Sequence, residues 1–481
     1  MVITKSNNKD VGDYSMNLLL GLQQGLRMLQ RKRTVKKNGF KTYPGQAASI
    51  VKQIIAECWN KEHTYFQTST GHYCQFYARD FGLSTPALLA LGYTDKVAQT
   101  LSYALHHYRL HGHIAVMLTP EGKGFDYPTY APDSLAFVLY SLSCLFENKP
   151  SLATPLLENY KPFLEQEIVF FANTVLDKQG MVLPKHFSSI KDHAIRRSSC
   201  YDVCMAFLVQ QCAKKLNLTI KPSCLSTANY PALLRRHYWT GTYFLEDLSG
   251  RKTISADAQV FPFFTGPIQP NSEGKTIFVK VFHTINKQEL ARPIALRYTK
   301  EETPGHAWHW TRWLSPGYET ITYWPHLGLA WMQVLSHYSS LYPPANQEID
   351  YQLNAYTALL LHYKTFLEVY EKVRMKSGRG KTVDEKSVER KANEKKAEKK
   401  KKVTLLESHQ KPHPKHQAQA MDFCNQTQQE KDNKIIQQLV PYTSFFYTCD
   451  EGMLWSATYA MLYSLRNKPK KRKHHYEKPL T

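Results

Sequence analysis

The stretch from Gln75 to Gly82 sets a charged pair, Arg79 and Asp80, between aromatic residues. It follows a loop of small and polar residues and leads into an apolar helical segment. Burying an Arg or Asp side chain is costly unless each satisfies the other or both bind a polar ligand. Two interpretations are therefore open: an ion pair in which Asp80 caps the helix, or a site for a polar ligand.

Similar residues recur in later loops, where carboxylates alternate with Trp, Tyr and His. Asp192 lies in a loop between Lys191 and His193, and Glu451 stands at the entrance to an apolar helix. The accompanying aromatic residues are Tyr77, Tyr127, Trp308, Trp310, Trp313 and Trp324. Aromatic faces beside polar groups are typical of a sugar-binding pocket, and two carboxyl groups can act as acid and base on a glycosidic bond.

Capping is the competing explanation for each of these acids. Asp133, Asp202 and Asp257 stand at predicted helix starts, where their side chains can accept hydrogen bonds from free amide groups. We therefore predict that these three cap helices. Capping explains Asp192 less well, because Asp192 lies within a loop. Of the adjacent acids Asp450 and Glu451, capping explains only one.

The elements that must position these residues are predicted to be helices. Twelve helical segments alternate between long and short connections, and few runs have the alternation of a strand. The predicted segments are 46–60, 81–91, 95–110, 132–148, 151–176, 196–216, 227–239, 257–265, 275–288, 324–342, 347–373 and 452–465. This pattern predicts an all-α toroid of six helical hairpins, (α/α)6, with an inner and an outer layer. The long loops meet at one end, where function is expected.

The net charge of +22 is concentrated outside this body. Residues 1–41 contain nine Lys/Arg and two acidic residues, and residues 372–402 contain fourteen Lys/Arg and five acidic residues. Residues 466–481 contain seven Lys/Arg and one acidic residue. We expect a basic extension at 1–45 with an amphipathic helix at 13–33, a catalytic domain at 46–465, a disordered lysine-rich insert at 376–434, and a basic tail at 466–481. These segments are solvated or make weak contact with a polyanion. The helix docks on the body or lies on an anionic membrane surface.

The residue composition also indicates the cellular compartment and whether a metal or cofactor is expected. Nine Cys form no C-x-x-C pair, which favours reduced thiols and a cytoplasmic protein. The histidines form no ligand cluster, so we predict neither a metal nor a cofactor. No secretory signal is evident, and no apolar run reaches the roughly 18 residues that span a membrane.

Four motifs in order resemble the six-hairpin glycosidase superfamily, closest to its glucoamylase, trehalase and amylo-1,6-glucosidase groups. They are Phe76–Gly82 with Ala87–Gly92, Ser255–Phe263, Tyr323–Gly328 and Glu451–Ala457. The resemblance covers most of residues 46–465, and the order and spacing of the motifs are more specific than any one of them.

The resemblance implies roles for individual residues. Arg79 and Asp80 match the pair that holds the hydroxyls of a terminal sugar. The general acid, from the loop after the fifth helix, maps onto Asp192, and the base, from the loop before the twelfth, maps onto Glu451. Beside these residues, we predict that Tyr77, Tyr127, Trp308, Trp310, Trp313 and Trp324 bind the substrate. Glucoamylases use a Glu in a Trp-rich motif as the acid, and this chain departs from them at Asp192.

The sequence thus predicts a glycoside hydrolase that acts on an α-glucan or related α-glycoside with inversion. A disaccharide phosphorylase or a sugar epimerase would use the same scaffold with different chemistry. A third alternative is a glycan-binding protein without catalytic activity.

Overall fold

A computed structural model describes residues 25–126, 129–302, 313–373, 430 and 433–467. Twelve helices in these residues form two layers, confirming the predicted (α/α)6 toroid. The outer helices are α2 (Ala47–Glu57), α4 (Thr94–His111), α6 (Pro150–Val175), α9 (Tyr230–His237), α11 (Ser272–Lys287) and α13 (Pro344–Tyr363). The inner helices are α3 (Ala78–Ala90), α5 (Pro132–Asn148), α7 (Cys200–Lys215), α10 (Ala256–Phe264), α12 (Pro325–Tyr338) and α14 (Ser456–Asn467).

The inner helices form a closed ring. In chain order each contacts the next, and α14 contacts α3. Every outer helix packs on an inner one, and the long connections all lead from an outer helix to the start of an inner one. The amino-terminal ends of the inner helices therefore share one rim with the long loops.

Apolar composition explains why these six helices lie inside. Helix α5 buries residues around most of its circumference, as expected for a helix surrounded by others. Gly82 allows α3 to lie close against α5, because a Cβ at this position would come within 2.5 Å of Phe137. The inner ring is therefore packed closely enough to hold the rim loops in place.

Besides these twelve helices, the described residues include two further helices, a helical run at 433–438 and seven short strands. Helix α1 covers 25–38 and α8 covers Ser223–Thr227. The strands are β1 (Trp59–Asn60), β2 (Tyr65–Phe66), β3 (Phe76–Tyr77), β4 (Met117–Leu118), β5 (Gly124–Phe125), β6 (Tyr370–Lys372) and β7 (Leu439–Pro441). Antiparallel pairing in the order β3-β4-β5 joins the first two rim loops, and β6 pairs with β7.

Two predicted helix boundaries are wrong in ways that affect the site. Helix α3 begins at Ala78, so Arg79 and Asp80 lie in its first turn rather than in the preceding loop. The predicted segment 347–373 is helical only as far as Tyr363, because Lys364 takes a left-handed conformation with φ of 54°. The chain then extends into β6. Residues expected on a helix face thus join the rim.

Contacts divide the chain into two compact units, Lys372–Gln438 and the remainder. The ring helices and the rim loops described here belong to the larger unit. The insert predicted at 376–434 lies outside the described residues except at 430, 433 and 434, and so does the tail beyond 467. The eight described cysteines are free thiols. In the described part of the chain, no helix combines the length and apolarity needed to cross a membrane.

Candidate active site

Carboxylates stand in the first turns of four inner helices: Asp80 on α3, Asp133 on α5, Asp202 on α7 and Asp257 on α10. The amino-terminal end of a helix carries partial positive charge, which favours anions there. Because these ends share one rim, the fold gathers negative side chains around its centre.

Arg79 links two of the rim carboxylates. Its Nε donates to Asp133 Oδ2 at 2.7 Å and its Nη2 donates to Asp192 Oδ1 at 3.1 Å. Asp133 is fully buried and also accepts from the Tyr201 hydroxyl at 2.9 Å. Arg79 is thus fixed on the buried side and reaches across to Asp192.

The prediction that Asp133, Asp202 and Asp257 cap helices is wrong. Asp133 binds Arg79, and Asp257 accepts from Arg196 Nη1 at 2.8 Å. Asp202 lies three residues inside α7, whose cap is the hydroxyl of Ser199. Buried cations bind the Asp133 and Asp257 carboxylates because an unpaired charge in the interior would cost more than a free amide at a helix end. The Asp202 carboxylate accepts instead from the hydroxyls of Ser189 and Ser199.

Asp192 lies in the loop before α7 with its side chain 41% exposed. It accepts from Arg79 and from Ser188 Oγ at 3.3 Å. The preceding residue, Lys191, is buried, and its Nζ donates to Glu246 Oε1 and Ser255 Oγ at 2.6 Å each. The loop therefore has a buried anchor directly beside an accessible carboxylate.

Asp80 shares its surroundings with two other carboxyl groups. Burial raises its pKa to about 7; Asp192 and Glu368 act in the same direction, and Arg79 opposes them. Asp80 is only partly exposed. Its side chain thus lies in the field of groups from the third and the last rim loops.

This raised pKa predicts a pH dependence of stability. Asp80 binds its proton more tightly in the folded than in the unfolded chain, whose ordinary Asp value is about 4. The contribution of Asp80 to the free energy of unfolding is fully present below the unfolded pKa of about 4 and is lost as the pH rises through about 7. Replacing Asp80 by Asn should remove this fall in the free energy of unfolding between about pH 4.5 and about pH 7.5, measured by urea titration. An unchanged slope would contradict the assignment.

Glu368 is a rim carboxylate that is not predicted from the sequence. It is buried, and its Oε1 accepts from the Tyr318 hydroxyl at 2.8 Å. Its Oε2 accepts from the Tyr447 hydroxyl and from Asp450 N at 2.8 Å. Burial raises the pKa of Glu368, with a further contribution from Asp450. The mistaken helix over 364–373 concealed this residue, and the left-handed Lys364 was not evident from the sequence.

Glu451 and Asp450 face a different partner. Both form ion pairs with Arg31 of α1, and Glu451 Oε1 also accepts from Lys41 N at 3.2 Å. Asp450 accepts from Ser69 Oγ and from the amide of His72 at 3.1 Å. Burial alone would raise the pKa of Asp450, but His72, Arg31 and Ser69 hold it below its ordinary value.

The aromatic residues predicted as pocket walls have different placements. Trp324 is nearly buried, and its Nε1 donates to the Tyr318 carbonyl oxygen at 2.7 Å. The Tyr77 ring meets Tyr73 edge-on, with centroids 5.8 Å apart. Trp313 is 74% exposed and contacts another exposed ring, Phe445. The remaining predicted wall residues, Tyr127, Trp308 and Trp310, lie outside the described residues.

The structure therefore brings Arg79, Asp80 and Asp192 together, as predicted from the sequence. It adds Glu368 to their surroundings. The carboxylate of Glu451 is instead engaged by Arg31 and the backbone of Lys41.

No family model and no curated protein matches the sequence. Several solved structures are similar in fold. A wild-type glycosidase has a TM-score of 0.51 at 11% identity, covering 92% of this chain and 97% of its own. A glycosidase variant in complex with glucose has a TM-score of 0.52 at 10% identity, with the same coverage.

An uncharacterized conserved protein from Thermus thermophilus has a TM-score of 0.51 at 12% identity, covering 87% of this chain and 100% of its own. A rhamnosidase from Klebsiella oxytoca with rhamnose bound has a TM-score of 0.47 at 13% identity; the alignment covers 68% of this chain and 58% of that chain. The similarity to the two glycosidases with TM-scores above 0.5 shows that this chain has the same fold, the helical toroid.

Proposed function

We propose that this chain is a glycoside hydrolase that acts on an α-glucan or related α-glycoside with inversion. The observation that carries the proposal is the grouping of Asp80, Asp192 and Glu368 at the rim, where Asp192 and Glu368 both raise the pKa of Asp80. Similarity in fold to a glycosidase with bound glucose supports the same class of substrate.

Asp192 is the proposed general acid. Its exposed side chain can reach a leaving oxygen, and its loop is anchored by the buried Lys191. Arg79 Nη2 donates to Asp192 Oδ1, so the proposed acid lies beside a donor that a sugar hydroxyl could also use.

The contacts favour Glu368 over Glu451 as the general base. Tyr318 and Tyr447 orient the Glu368 carboxylate, and burial raises its pKa, which makes the carboxylate a stronger base. The Glu451 carboxylate is paired with Arg31 and accepts from Lys41 N, so both of its oxygens already have partners from the amino-terminal segment. We propose that Glu368 activates the water and that Glu451 supports the loop beside it.

Arg79 and Asp80 are the proposed clamp on the terminal sugar. Arg79 supplies fixed N–H donors, and Asp80 offers acceptors beside it. Tyr77 and Trp324 are proposed as walls of the sugar site, and the sequence extends these walls to Tyr127, Trp308, Trp310 and Trp313. Aromatic faces of this kind bind the C–H faces of a pyranose ring.

Incubation with a panel of α-glucosides and dextran-type oligosaccharides, with and without inorganic phosphate, tests this function against its alternatives. Release of free sugar at an equal rate under both conditions supports hydrolysis. Sugar phosphate formed only with phosphate would indicate a phosphorylase, and isomerised sugar an epimerase. Binding without any turnover would indicate a glycan-binding protein and would overturn the proposal.

The basic appendages and the compartment complete the proposal. We propose a cytoplasmic protein whose basic terminal segments make weak contact with a polyanion. Heparin binding by the full chain should weaken with salt more steeply than binding by a chain ending at residue 467, with equal turnover. Equal salt slopes would indicate that the tail is only solvated.

A further inference from the structure

The turn formed by residues 315–322 links the loops on the two sides of the site. Three backbone amides, those of Thr320, Ile321 and Thr322, donate to the carbonyl oxygen of Gly317 at 3.1 to 3.3 Å. Gly317 has φ of 75°, and a Cβ here would come within 2.9 Å of Ile321 Cγ1. This tight turn therefore depends on glycine at its centre.

Hydrogen bonds from neighbouring segments hold the turn from outside. The Tyr442 hydroxyl donates to the Pro316 carbonyl oxygen at 3.0 Å. Trp324 Nε1 donates to the Tyr318 carbonyl oxygen at 2.7 Å, and Thr299 N donates to that of Thr320 at 2.9 Å. Donors from three separate segments thus fix its position.

Two adjacent residues of this turn reach opposite sides of the site. The Tyr318 hydroxyl donates to Glu368 Oε1 at 2.8 Å. The Glu319 carboxylate accepts from His193 N, at 3.0 Å to Oε2 and 3.3 Å to Oε1. His193 directly follows Asp192, so one rigid dipeptide holds the base on one side and the backbone of the acid on the other.

We infer that the 315–322 turn sets the separation between Asp192 and Glu368, with Tyr318 and Glu319 as positioning residues. This inference rests on the proposed function. An inverting hydrolase needs its two carboxyl groups about 6.5–9.5 Å apart to admit a water molecule. A misplacement of about 1 Å can cost about 100-fold in rate, so a spacer between these groups would control turnover.

Substitution of the two side chains tests the spacer. Tyr318→Phe and Glu319→Ala should each lower kcat about 10- to 100-fold and change KM less than about threefold. Each variant loses one of the hydrogen bonds that fix the distance between the two carboxyl groups. Glu319→Gln keeps an oxygen that accepts from His193 N, and it should recover most of kcat. The double variant should lose less than the product of the single losses, since both act on one distance. Tyr351→Phe, which removes a hydroxyl that binds Pro293, is the matched control.

Calorimetric binding of 1-deoxynojirimycin, a cationic glucose analogue, provides a readout that needs no turnover. Positioned carboxylates bind this cation, so Tyr318→Phe and Glu319→Ala should weaken it about tenfold relative to wild type and Tyr351→Phe. If the two variants bind more weakly but wild type shows no turnover, the proposed hydrolysis is wrong and the positioning role of the 315–322 turn is retained. Wild-type affinity and kcat in both variants would overturn the spacer.

Discussion

Asp192→Asn and Glu368→Gln should each lower kcat by about 10²- to 10⁴-fold, the usual contribution of a general acid or base. Both amides preserve shape and can still accept hydrogen bonds, so sugar binding should persist when measured by calorimetry with glucose. Loss of turnover with binding retained separates a chemical role from a failure to form the pocket.

Two further variants make this test specific. Glu451→Gln should keep kcat within about tenfold of wild type, because its carboxylate pairs with Arg31 rather than serving the reaction. Glu371 is a half-buried acid three residues from Glu368, and its Oε1 accepts from Thr443 N. The control variant Glu371→Gln should leave kcat unchanged. Loss of turnover in Glu451→Gln with full activity in Glu368→Gln would reverse the assignment of the base.

Arg31→Met should lower the free energy of unfolding by about 3–5 kcal/mol, the range for breaking a buried ion pair by removing one partner. Arg31 is 11% exposed and faces both Asp450 and Glu451, which are 0% and 2% exposed. Its removal leaves two buried carboxylates with one cation fewer. Urea unfolding measures the loss.

Arg33→Met, two residues further along α1 and exposed, is the control and should change stability by less than about 0.5 kcal/mol. Combining Arg31→Met with Glu451→Gln should restore part of the loss, since one unpaired charge is then removed. An effect of Arg31→Met no larger than that of Arg33→Met would show that α1 does not stabilise the rim.

The helical toroid could be predicted because its signal repeats along the chain. Six alternations of long and short connections are hard to satisfy in another way, and small errors at single boundaries do not alter the pattern. The placement of Arg79 and Asp80 beside Asp192 followed from the same regularity, since it depends on which ends of the helices share a rim.

The residues that were missed depend on local backbone conformation. Glu368 fits the helical pattern of 347–373, and only the left-handed Lys364 takes it out of the helix and to the rim. The partnership of Glu451 with Arg31 joins segments from opposite ends of the chain, and no local pattern reports it. Capping was expected of Asp133 because the sequence does not show that Arg79 lies across from it.

The most direct test of the proposed mechanism is proton NMR of the first product released from an α-glucoside. The spectrum is recorded within minutes of mixing, before the free sugar mutarotates, with Asp192→Asn and Glu368→Gln in parallel. We expect that wild type first releases the β-anomer and that neither variant releases it at a comparable rate. First appearance of the α-anomer, or wild-type rates in both variants, would contradict an inverting pair formed by Asp192 and Glu368.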